Sequence, residues 1–128
     1  MEVTDRTDLH NNPEALAAEI VGTIARLHGV HKLYETAIKA EAAALHYFKL
    51  EEAKAFLTFQ EGTQKEREHS AFQAVEGLFR EHQIAKARAS AMKERMITLR
   101  GDLVAYQSLL SMLKTEMNMT RPMQRYGT

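Results

Sequence analysis

Prolines stand only at Pro13 and Pro122, and because proline is expelled from helix interiors, everything between them is free to be helical. Within that window apolar residues return at alternating gaps of three and four. From Ala71 the series runs through Val75, Leu78, His82, Ala85, Ala89, Met92, Met96, Leu99, Leu103, Tyr106, Leu110 and Leu113 to Met117, with His82 its only plainly polar member. A strand would alternate every second residue, so this spacing predicts one face of a long helix with a heptad seam. An earlier series predicts a second helix, along Ala17, Ile20, Ile24, Leu27, His31, Tyr34, Ile38, Glu41, Leu45, Phe48, Glu52, Ala55 and Phe59.

Local signals fix the ends. Asn12 before Pro13 and Glu14 supplies an N-cap, a preset first helical residue and an acid near the positive end of the helix dipole. Glu61-Gly62 stops the first helix, and Thr63 stands three residues before Glu66, the spacing of a capping box. The expected layout is a polar lead over 1–12, a helical hairpin domain over 13–119 and a loose tail over 120–128. Helix 1 covers about 13–61 and helix 2 about 64–118. The fold class is all-α: a long antiparallel, coiled-coil-like hairpin, with a short N-terminal helix ending near Gly29 as the alternative to an unbroken helix 1.

A two-residue turn centred on Gly62 would set residue i level with residue 124 − i, so Gly22 would lie level with Gly101 and could mark a close backbone approach. A hairpin core is thin, and Phe56, Phe72, Phe79, Ile97, Val104, Leu109 and Met112 fall outside the two series. These residues form the expected partner or oligomer surface, and two hairpins packing into a four-helix bundle would bury them. A homodimer or higher oligomer follows as the expectation, with another protein as a further partner.

Chemistry is sparse. The absence of cysteine removes disulfides, thiolate metal sites and cysteine nucleophiles, and it fits a reducing compartment. The start of the chain lacks the basic-then-apolar pattern of a signal peptide and no run approaches the roughly 18 apolar residues of a membrane span, so a cytoplasmic protein without a membrane partner is expected. Glu66-Arg67-Glu68-His69 has a metal-binding Glu-x-x-His spacing, and His28, His31 and Glu35 lie one turn apart. The first pair sits in an opening helical turn and the second set lacks a fourth ligand, so neither is taken as a metal site. No serine triad, glycine-rich loop or phosphate-binding lysine motif is present, and neither enzyme activity nor a cofactor is expected.

Charge is distributed unevenly: 9 basic and 14 acidic side chains through Ala85, then 8 basic and 3 acidic. Lys86, Lys93 and Arg100 fall seven residues apart on one helical stripe, with Arg88 and Arg95 on another, and the first three are the candidate nucleic-acid contacts. Arg121, Arg125 and Tyr126 would extend this basic end.

The segment Glu61-Gly62-Thr63-Gln64-Lys65-Glu66-Arg67-Glu68 and the closing Leu99-Arg100-Gly101-Asp102-Leu103-Val104-Ala105-Tyr106-Gln107-Ser108-Leu109-Leu110 carry a likeness. Over roughly residues 33 to 118 the layout resembles small helical-hairpin proteins of tailed phages and prophages, often encoded among replication and recombination genes. That resemblance implies an accessory of phage DNA metabolism, or an adaptor for a phage or host protein.

Overall fold

The computed structural model describes residues 12–120, with side chains through Asn118; the polar lead over 1–11 and the tail with Arg121, Arg125 and Tyr126 lie outside the described residues. Three helices and no strand occur among the described residues: α1 (Pro13–Thr58), α2 (Gln64–Ala74) and α3 (Glu76–Thr120). The fold class is all-α, with long helices packing together.

α1 begins where the local chemistry places it. The Asn12 side-chain oxygen accepts from the Ala15 N–H at 3.1 Å, and the Asn12 carbonyl accepts from Leu16 N–H at 3.0 Å. From there α1 is continuous through Gly22 and Gly29, so no separate N-terminal helix folds back. Among the described residues a Cβ on Gly29 or Gly101 would meet nothing within 4 Å, and the nearest atoms to one on Gly22 would be those of the Arg26 guanidinium of its own helix, at 3.3 Å. Arg26 arcs over Gly22 to donate to Glu19 at 2.8 Å and to the buried Thr23 hydroxyl at 3.0 Å. The expected close approach of Gly22 and Gly101 is therefore absent, and Gly22 makes room within its own helix instead.

The chain divides into two compact units, one formed by residues 12–29 with 96–120 and the other by Val30–Arg95. In the Val30–Arg95 unit, α1 reverses through a turn in which Gly62 adopts φ +94°, a left-handed conformation that costs glycine little. Thr63 caps α2, its hydroxyl accepting from the Glu66 N–H at 3.2 Å. The return is antiparallel: the Phe48 ring of α1 meets Phe72 of α2 at 6.3 Å and Phe79 of α3 at 5.4 Å, centroid to centroid. These two partners straddle the level expected from a turn at Gly62.

Helix 2 is not one helix. Val75 leaves helical geometry at φ −117°, ψ 16°, separating α2 from α3. A β-branched valine two residues before Gly77 is a locally weak helix former, so packing can set the backbone there. Val75 itself is buried, and the Phe72 and Phe79 rings on either side of it lie 5.3 Å apart.

Burial also corrects the first seam. Every member of the second series from Ala71 to Leu113 is buried or half-buried, but on α1, as far as Phe48, only alternate members of the predicted series are. The shielded row of α1 is Leu16, Ile20, Thr23, Leu27, Val30, Tyr34, Ala37, Glu41, Ala44, Phe48, Glu51 and Ala55. Ile24, His31, Ile38 and Leu45, each one residue beyond a member of that row, are exposed. The seam therefore takes the a and d positions of a heptad, and beside the small seam residues Thr23, Ala37 and Ala44 the bulkier Ile24, Ile38 and Leu45 occupy the adjoining e positions.

Candidate functional site

Two of the residues expected to form a partner surface are drawn into the protein's own packing. Phe72 and Phe79 are half-buried, and with Phe48 they form a three-ring cluster in tilted and edge-on arrangements. Such geometry suits the ring quadrupoles. Phe56 is half-buried as well, beneath Arg67, whose guanidinium carbon lies 4.2 Å from the ring centroid. Ile97, Val104 and Met112 on α3 remain more than half exposed, and Leu109 is half-buried.

Arg67 has a role that its spacing did not reveal. Its Nε donates to the Phe59 carbonyl at 2.6 Å and its Nη2 to the Phe56 carbonyl at 3.2 Å. Both acceptors lie at the end of α1, where the last carbonyls of a helix have no intrahelical partner. One cation from α2 thus closes the C-terminus of α1 and covers an aromatic ring. In the sequence it is one more charge in Glu66-Arg67-Glu68-His69, and no motif marks it.

Beside this turn an open groove of about 630 Å³ is lined by Lys49, Glu52, Phe56, Leu57, Gln64 and Glu68, among others. Its charges are mixed and its apolar floor is shared with the Arg67 stack, so it presents no converging set of groups to a small ligand. Among the described residues no three metal-binding side chains come together. His31 Nε2 instead lies 3.0 Å from the Glu35 carboxylate, and Glu66 and His69 are exposed in the first turns of α2.

The basic row is fully presented. Lys86 and Lys93 belong to the Val30–Arg95 unit and Arg100 to the other unit. All three are exposed, and the ion pairs found among the described residues involve none of them. His82 is the reverse case: it is 8% exposed in the seam, and its Nδ1 has no hydrogen-bond partner among the described residues.

Much of what remains on the surface is apolar. In the Val30–Arg95 unit Leu33, Tyr47, Leu57 and Ile84 are all more than half exposed, and in the other unit so are Val21, Ile97, Val104 and Met112. No helix among the described residues is long and apolar enough to cross a membrane. No protein-family model, curated protein or solved structure matches this chain.

Proposed function

We propose that this chain is a non-enzymatic interaction protein: a helical hairpin that associates with copies of itself and docks onto another protein. One observation carries the reading. Large aliphatic and aromatic side chains at helical spacing stay exposed after each unit has formed its own seam, with Leu57 at 68% and Val104 at 62%. Large apolar side chains left exposed at helical spacing point to contact with another macromolecule. The setting we assign is cytoplasmic, as a phage-encoded accessory of DNA replication or recombination or a modulator of a host protein. It rests on the resemblance carried by the turn segment and the Leu99 to Leu110 segment.

Sedimentation equilibrium on the unmodified chain should give a concentration-dependent mass above 14.6 kDa. Affinity purification should recover a protein partner that survives nuclease treatment. A 14.6 kDa species at every concentration, with all partners lost to nuclease, would sink the proposal. A second reading, nucleic-acid binding, is favoured by the exposed row Lys86, Lys93 and Arg100, which enters no ion pair among the described residues.

A further inference from the structure

We infer that two copies of this chain pair antiparallel through a second heptad face of α1, over residues 33–57, about a two-fold axis beside residue 45. The inference rests on the self-association proposed above and names its surface.

The face is read from α1 alone. Leu33, Thr36, Ala40, Ala43, Tyr47, Leu50, Lys54 and Leu57 follow one another at gaps of three and four, the same spacing as the inner seam. Each member through Lys54 precedes a member of the inner row by one residue, so at 100° per residue this second row lies about 100° around the helix from the first. All eight residues are exposed. Lys54 is the single charged member, and its ammonium is held 3.2 Å from Glu51. The neighbouring outward row has the composition of a solvated face: Lys32, Glu35, Lys39, Ala42, His46, Lys49. Two outward rows of one helix therefore differ in kind, and only the first has the pattern of a buried seam.

The order of side-chain sizes along the row selects the occupant. In an antiparallel pair with residue i opposite residue 90 − i, Ala40 meets Leu50, Ala43 meets Tyr47, Thr36 meets Lys54 and Leu33 meets Leu57. In the two central layers each small residue faces a large one, and no charge faces a like charge. A parallel pair would stack Tyr47 on Tyr47 and Lys54 on Lys54, and would leave alanine against alanine at two layers. The row is thus complementary to itself under a two-fold operation, the property that closes an isologous dimer.

The size of the contact sets its strength. The row is roughly 36 Å long at 1.5 Å per residue and about 10 Å wide, so a pair of copies would cover on the order of 800 Å². Stable interfaces cover about 1,200–2,000 Å², and the pairing should accordingly be weak and governed by concentration.

Two measurements test this. Ala43→Glu combined with Leu50→Glu changes only exposed residues, so thermal unfolding followed by circular dichroism should stay near that of the parent, while the dimer dissociation constant rises at least tenfold. The chain has no cysteine, so Leu33→Cys and Leu57→Cys report the register directly. When a mixture of the two single variants is oxidised, the mixed disulfide dimer, which joins one copy of each variant, should predominate over dimers of either variant with itself. If the parent dimerises but the glutamate variant does so equally well, or the same-variant dimers predominate, this face or its register is overturned while self-association stands. A parent that is monomeric throughout overturns both.

Discussion

His82 is the residue at which burial and hydrogen bonding conflict. It is 8% exposed at a seam position and its Nδ1 has no hydrogen-bond partner among the described residues, whereas the more deeply buried Thr23 accepts a hydrogen bond from Arg26. Leaving a buried polar atom unmatched costs about 1–3 kcal/mol, and a leucine of similar volume would remove the cost while keeping the seam filled. His82→Leu should therefore raise the thermal unfolding midpoint, by an amount corresponding to about 1–3 kcal/mol. A lower midpoint would mean that the imidazole is better satisfied than its surroundings indicate. Polar seam residues of this kind can select register at the expense of stability, so the same variant should be checked for altered oligomer mass.

At the scale of the helices, the second series was legible in the sequence and the first only in part, for a physical reason. On α3 the residues beside the seam are charged, as at Lys86, Lys93 and Arg100, so the apolar stripe has sharp edges. On α1 the apolar surface is three positions wide, and the small residues Thr23, Ala37 and Ala44 are shielded while Ile24, Ile38 and Leu45 beside them are exposed. Periodicity weighted by hydrophobicity takes Ile24, Ile38 and Leu45 in place of the smaller inner residues Thr23, Ala37 and Ala44. The Val75 break was equally hidden, because one non-helical residue leaves the heptad spacing intact. The clearest energetic consequence falls on Phe48, which is buried and touches both Phe72 and Phe79. Phe48→Ala should destabilise by about 3–5 kcal/mol in chemical denaturation, and a loss below about 1 kcal/mol would show that the three rings do not anchor the unit. Of the residues named as a candidate surface, Ile97, Val104 and Met112 are more than half exposed, but the packing of Phe72 and Phe79 against Phe48 needed three dimensions to see.

For the whole molecule, the question that separates the two functional readings is whether the basic C-terminal half binds nucleic acid. Lys86, Lys93 and Arg100 recur every seven residues on α3, and Arg88 and Arg95 lie about 160° round the helix, so one duplex could engage about three of these cations per chain. Each neutralised phosphate adds about 0.9 to the log–log salt slope, and three contacts are too few for tight binding at physiological salt. Binding to duplex DNA should be weak or absent there, and any low-salt binding should vanish when Lys86, Lys93 and Arg100 are together changed to glutamine. Submicromolar binding that resists salt would reverse the order of the two readings. The two units also differ in how far apart along the chain their pieces lie, and this bears on synthesis. The Val30–Arg95 unit is one unbroken stretch, drawn together near its turn by Arg67, which reaches back only to Phe56 and Phe59. Loops that short close early, and on the ribosome this unit can assemble as soon as its own residues have emerged. The other unit joins 12–29 to 96–120, so Leu16 and Ile20 leave the ribosome long before their covering segment is made. For that interval the nascent chain displays an unshielded apolar segment, open to chaperones and to neighbouring nascent copies alike.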